Sequence, residues 1–443
     1  MKLQRTAYAE RALRAAAHVL EVEPTQFAPA RMSKYAHWFE DPQHGSVVAV
    51  VTPGEKPTVT DEVLAFGLAW QQNRDLLLVV PDDMVVEAIA RIGWLETEVR
   101  VFAFDGAEGE VPRPVRSPGR FAILERLAEL PERVPRRAAL KTGHASWLDN
   151  IHTHEVGLVG HDRGGYFSWH HEGLQVLQAH ETKSGLRIRA GVQYKTPQPG
   201  RDVFDKTFTN PPTVGEVAVI NAKVALAIED GGSLTSKMRE HKLQATLKGQ
   251  PEVLGLTDLW REFPAWRGLL TSSMPPFGRP GYIDFLGADA TGVLHVVETK
   301  IGHDPKVVLQ ALDYAIWVRA NDSAIRERLK AEGHILPTPN GHPPAGGTPA
   351  PIHLVLGSLG SGPAFNAYLA GQIEALAGDC RVSIYLTAEP TADELSLTKV
   401  SARDLWEPSA LVAKPVVGPR WPGELTTELG RHSGERADPL PSQ

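Results

Sequence analysis

Two acids and an amine interrupt an otherwise apolar β-ribbon between residues 281 and 301. Tyr282-Ile283-Asp284-Phe285-Leu286 reads as a strand, Gly287 to Gly292 supplies turn chemistry, and Val293 to Lys300 reads as the returning strand. Side chains on a strand alternate, so Asp284 is expected on the face of Tyr282 and Leu286, and Glu298 on that of Val296 and Lys300. The run into Glu298 is apolar. A buried strand ending in charge is costly unless the charges pair with one another or share a metal ion.

The flanking segments read as helices. Asp304 and Pro305 suit a helix start, followed by the apolar stripe Val308, Leu312, Ala315 and Val318. Gln310 and Tyr314, four apart, share one face of that helix. Upstream, Ser236 to Lys248 reads as a helix stopped by Gly249 and Pro251. It carries Glu240 in line with Leu243 and Leu247, a carboxylate on an otherwise apolar face. Lys237, Arg239, Lys242 and Lys248 surround Glu240, together with His241, and form a basic cluster suited to a nucleic-acid backbone; a solvated helix face is the plainer reading.

Asp284 followed by Glu298-Thr299-Lys300 resembles the PD-(D/E)XK nuclease superfamily, the restriction-endonuclease-like fold, and Gln310 to Tyr314 resembles the QxxxY motif of its RecB-type members. Glu240 to Gly255 is similar to the opening helix of the Shedu-type anti-phage nucleases. Pro280 stands four residues before Asp284, where the superfamily pattern has it adjacent. The resemblance covers roughly residues 233–390 and implies an α-β-β-β-α-β core. That core calls for a strand at Pro351–Gly357, a helix at Ala364–Ala377 and a last strand at Arg381–Thr387.

The resemblance also implies roles. Asp284, Glu298 and Glu240 would hold Mg²⁺ or Mn²⁺, hard ions that prefer oxygen donors. Lys300 would position or deprotonate water or stabilise the phosphate, and Gln310 and Tyr314 would orient the ligand shell. The implied activity is Mg²⁺-dependent hydrolysis of DNA phosphodiesters by an endonuclease in defence against foreign DNA. The alternatives are a DNA repair nuclease, or an idle nucleic-acid-binding scaffold on the same fold. RNA stays open as substrate, and a homo-oligomer as assembly.

At 443 residues the chain is too long for one core. The fold class expected is multidomain α/β. Residues 1–112 form an α/β domain and 113–232 a helical connector with a small β-rich region. Residues 233–410 form the nuclease-like core with a mixed sheet, and 411–443 a Pro/Gly-rich tail read as disordered. Hydrophobic residues at 42% and charged residues at 22% exclude a mostly disordered chain. The formal charge of −7 argues against a wholly basic nucleic-acid wrapper but leaves room for a local basic groove. No apolar run approaches a membrane span and the start lacks an export-signal stretch, so a cytoplasmic protein without membrane partners is expected. Cys380 stands alone, which excludes an intrachain disulfide and a cysteine-rich zinc site.

One further pattern lies near the start. Tyr35 to Gly45 can be laid over Tyr282 to Gly292, and a short apolar run follows each glycine. His37 then stands at the place of Asp284, Val51 at that of Glu298 and Pro53 at that of Lys300, the mark of a catalytically dead sibling fold. An unrelated α/β domain is the simpler alternative. The histidines at 152, 154, 161, 170, 171 and 180 read as turn and surface residues, and Trp260 and Trp266 as packing residues.

Overall fold

The computed structural model describes residues 2–406 with breaks, the longer ones at 31–35, 135–141, 153–157, 192–201, 230–235, 267–280, 339–346 and 358–365. Pro280, the Gly-rich stretch 358–362 and the tail lie outside the described residues. The chain is mixed α/β, built on three sheets of six, five and six strands. No described helix is long and apolar enough to cross a membrane.

The first module opens with α1 (Lys2–Leu20), then β1 (Ala28–Ala30), β2 (Ala36–Asp41) and β3 (Ser46–Val51). Next come α2 (Pro57–Trp70), β4 (Asp75–Val80), α3 (Val85–Ile89), β5 (Val99–Ala103) and β6 (Arg113–Val115). Strand order is β1 to β6 in sequence, with β3, β4 and β5 parallel and the remaining pairs antiparallel. Every residue of β3 is buried, which is why Ser46–Val51 reads as an unbroken apolar run. One expectation changes here. The Arg113–Val115 connector is an edge strand, a position that tolerates Pro114, so this module passes residue 112. After β4 the segment Asp82–Trp94 holds the short α3 between two 3₁₀ turns, Asp82–Met84 and Ile92–Trp94.

The middle module holds α4 (Arg120–Ala128), α5 (Thr142–Ala145), α6 (Asp149–His152) and the antiparallel sheet β7 (Leu158–Asp162), β8 (Tyr166–His171), β9 (Leu174–Thr182), β10 (Gly185–Ala190) and β11 (Phe204–Phe208). Helix α7 (Val214–Glu229) covers one face through Ile220, Val224 and Ala227.

The third module runs α8 (Ser236–Gly249), β12 (Asp258–Ala265), β13 (Gly281–Ala288), β14 (Leu294–Ile301), α9 (Val307–Ala331), β15 (Ile352–Gly357), α10 (Asn366–Glu374), β16 (Val382–Thr387), β17 (Thr398–Val400) and α11 (Ala402–Trp406). The strand, helix and strand expected after α9 are therefore present. Strands β14, β15 and β16 are parallel and their outer neighbours antiparallel. Leu243 and Leu247 of α8 pack one face with Phe285, Val297 and Val355, while α9 covers the other over Ile283, Val296 and Leu354. Trp260 and Trp266 are part of the core under α9, as expected of packing residues.

The first and third modules have the same topology: a helix, three antiparallel strands, a helix, a parallel strand, a helix, another parallel strand and an antiparallel edge. Their hairpins also share a glycine with positive φ at the same step, Gly45 at 67° and Gly292 at 80°. They pack reciprocally. Helix α10 crosses α2 so closely that a Cβ on Gly371 would stand 2.8 Å from the Ala69 Cα. In the other direction Arg91, just past α3, reaches Asp313 of α9. Since α2 corresponds to α9 and α3 to α10, each module reaches the other from the region of its second crossover helix: α10 packs on α2, and the residue just past α3 pairs with α9. Main-chain bonds Glu96 N–H to Ala375 O (2.8 Å) and Ala377 N–H to Trp94 O (2.9 Å) close the seam.

Candidate functional site

Strands β13 and β14 pair from Ala288↔Leu294 to Phe285↔Val297, and there the ladder stops. Beyond that point carboxylates take the place of strand carbonyls. Asp284 Oδ2 accepts the Thr299 amide at 2.8 Å, and Glu298 Oε1 accepts the Asp284 amide at 3.4 Å. Two orphan donors created by the splay are thus met by the two acids, which explains how charge can sit at the end of a buried strand. In the first module the corresponding ladder continues to Ala36↔Val51, with no acid at its end.

The splay also corrects the expected alternation. Ile283 and Leu286 both belong to the core under α9, while Phe285 packs on the α8 side. The neighbouring strand has a kink at Glu262, whose φ is 50°. Asp284 therefore does not simply share a face with Tyr282 and Leu286. Its carboxylate turns into the gap between strands and also accepts the Thr299 hydroxyl at 2.8 Å.

Helix α8 brings Glu240 against the end of β14. Its Oε1 accepts from Lys300 Nζ at 3.4 Å and its Oε2 from the Ile301 amide at 3.4 Å. Lys300 Nζ also lies 3.7 Å from Asp304. Asp304 was expected to cap α9, but the helix begins at Val307 behind Lys306, and Asp304 instead accepts the Lys306 amide at 3.0 Å. From α9, Gln310 Nε2 donates to Glu298 Oε2 at 3.3 Å. Tyr314 is buried with its hydroxyl over Gly281, at the start of the strand that carries Asp284.

Burial pushes the Asp284 carboxyl above its ordinary range, against the opposing pull of Thr299's two hydrogen bonds and the charges of Lys300 and Arg261. Burial likewise raises Glu240, with Lys300 pulling it down and Asp284 pushing it up. For Lys300 burial works against the charge, but the carboxylates of Glu240, Asp284, Asp304 and Glu298 outweigh it and raise its pKa. The ammonium is thereby held protonated at neutral pH. Among the described residues four carboxylates stand around one ammonium and the Arg261 guanidinium, a negative excess that suits a further cation.

The expected ligands do not form a closed cage: among the described residues no three His, Cys, Asp or Glu side chains gather as a metal-binding group. Asp284 and Glu298 come together, whereas Glu240 is tied to Lys300. Two carboxylates and the Thr299 carbonyl are hard donors that fit Mg²⁺ or Mn²⁺, ions that keep several waters. Of the expected basic cluster, Lys237's side chain lies outside the described ones, Arg239 is half-buried and Lys248 is exposed. Lys242 Nζ meets Asp393 at 3.5 Å.

Three side-chain roles at this site escape a reading of the sequence alone, those of Thr299, Gln244 and Arg261. Gln244 Nε2 donates to Thr299 Oγ1 at 2.8 Å, and Arg261 Nη2 donates to Gln244 Oε1 at 2.8 Å and His241 Nδ1 at 2.9 Å. The available signal was Gln244 one helical turn after Glu240, and an arginine inside the apolar run Leu259–Ala265. His241 also lies 5.7 Å, ring to ring, from His170 of β8, so that histidine joins the middle module to α8 and is no simple surface residue. Comparison with family models, with curated proteins and with solved structures finds no match to this chain.

Proposed function

We propose that the third module is a Mg²⁺- or Mn²⁺-dependent nuclease that hydrolyses DNA phosphodiesters, acting as an endonuclease. The observation that supports this most is the splayed end of β13 and β14. There Asp284 and Glu298 stand side by side with Lys300 at the rim. Defence against foreign DNA is the cellular setting that the Shedu-like resemblance suggests, and the cytoplasm its place.

Asp284, Glu298 and the Thr299 carbonyl would hold the ion. Bound there, it would supply an activated water and neutralise charge on the phosphate. The chain's own groups do the rest. Gln310 fixes the Glu298 carboxylate from α9. Lys300, held charged by its acidic neighbours, is suited to stabilise the developing negative charge on phosphate oxygen rather than to take a proton from water. Glu240 sets the ammonium in place.

Supercoiled plasmid incubated with the full chain tests the reading. Cutting is expected with Mg²⁺ or Mn²⁺, none with EDTA, and none with Asp284→Asn. Cutting that persists in EDTA, or an Asp284→Asn variant as active as the parent, would overturn it.

A further inference from the structure

We propose that Arg261 and Gln244 are positioning residues for Asp284, setting through Thr299 which carboxylate oxygen is left for the metal ion. This rests on the metal-nuclease reading above and deepens it. The chain of bonds has a fixed polarity. A guanidinium carries donors only, so Arg261 Nη2, 2.8 Å from Gln244, fixes the amide with its oxygen toward the arginine. The Gln244 NH₂ must then face Thr299 Oγ1, 2.8 Å away, and occupy it as a donor. Thr299 has one hydroxyl proton, and the remaining partner within reach is Asp284 Oδ2 at 2.8 Å. The hydroxyl therefore donates to the carboxylate.

The same oxygen takes the Thr299 main-chain amide at 2.8 Å. Asp284 Oδ2 is thus held by two donors, and Oδ1 receives no hydrogen bond from the described residues. The lone pairs of Oδ1 are the ones free to meet a cation. Burial keeps water from substituting for any link: Arg261 is 6% exposed, Gln244 2% and Thr299 0%. Arg261 also donates to His241 Nδ1, which leaves the imidazole proton on Nε2. The β12 strand, the α8 helix and the β14 strand are by this route joined at a single carboxylate.

The discriminating variant is Gln244→Glu. It keeps the shape and strengthens the pairing with Arg261, yet it offers Thr299 acceptors only. The hydroxyl proton is drawn off Asp284 and the chain's polarity reverses. Free Mn²⁺ is titrated against the full chain by electron paramagnetic resonance, alongside melting curves. Affinity should fall roughly 10- to 100-fold in Gln244→Glu and in Thr299→Val, the scale expected when a ligand loses its outer partner. Thr299→Ser should bind like the parent, and Arg261→Lys, still a donor only, should bind better than Arg261→Met. Should Gln244→Glu fail to fold, the Thr299→Val and Thr299→Ser pair decides. Parent-like Mn²⁺ affinity in folded Gln244→Glu or Thr299→Val overturns the proposal. A different result marks failure of the metal reading itself: parent and Asp284→Asn taking up Mn²⁺ alike, or neither taking it up, in which case the proposal falls with it.

Discussion

Arg91 and Asp313, 222 residues apart, form a two-pronged ion pair at 2.9 and 2.8 Å in which the arginine is fully buried. Burial opposes the guanidinium charge, but Asp313, Asp61 and Glu87 restore it and raise its pKa further. Asp313 sits between Gln310 and Tyr314 on α9, whose Leu309 belongs to the core of the first module. The helix that touches the site is therefore clamped by both modules. Removing one partner of such a pair leaves a buried charge uncompensated. Arg91→Ala should lower unfolding stability by about 3–5 kcal/mol. Urea melts check this, and a loss below about 1 kcal/mol would show the clamp to be unimportant.

Lys300→Ala removes the one ammonium that, among the described residues, faces Glu240 and Asp284. Cleavage should fall by at least roughly 10²-fold, on the scale of a lost transition-state donor. Its side chain is partly exposed, so the fold should survive with an unchanged melting profile. Wild-type-like plasmid cutting by this variant would show that the amine has no part in the chemistry.

Gly281 gives Tyr314 its seat: a Cβ there would stand 2.4 Å from the phenol oxygen. Gly281→Ala must push the ring or the strand, at a cost of about 1–3 kcal/mol. If the clash is with the hydroxyl, adding Tyr314→Phe should recover most of that stability. Equal melting temperatures for Gly281→Ala and the double variant would place the strain elsewhere.

A second polar cluster lies under the sheet. His295 Nε2 meets Asp289 at 3.1 Å and His295 Nδ1 meets His353 Nε2 at 2.9 Å, while His353 stacks on Tyr385. Burial, with the charges of His295 and Lys399, pushes His353 down to about 3. In the unfolded chain it takes a proton near the ordinary value of about 6.5. Between those values the unfolded state binds the extra proton, so stability is lost as pH falls from about 6.5 toward 3. His353→Gln should flatten this acid slope. Urea midpoints at pH 7 and pH 5 would reveal it, and an unchanged slope would assign the acid sensitivity to other groups.

The duplication of topology shows how much a local pattern can hold. The matching step from Tyr35 to Gly45 and from Tyr282 to Gly292 was legible because a hairpin turn is written in a few adjacent residues. The difference in side chains has a structural counterpart. Where the third module has Glu240 of α8 against Lys300 after the ribbon, the first has Arg5 of α1 paired with Glu55, the charges exchanged. Helix α1 itself, and the strands β9 and β11 with their many polar residues, gave weaker patterns because their packing partners lie in other elements.

The residues alone settled the acid-bearing ribbon and the helix of Gln310 and Tyr314, since period and punctuation are properties of neighbours. Where the ribbon opens, which way Asp284 turns, and that Gln244 and Arg261 stand behind it were decided by packing alone. Those outcomes depend on donors left without partners when two strands part, and on charges brought together from four separate elements. No stretch of sequence records such meetings, because each side chain's partner is chosen by the space the whole chain leaves for it.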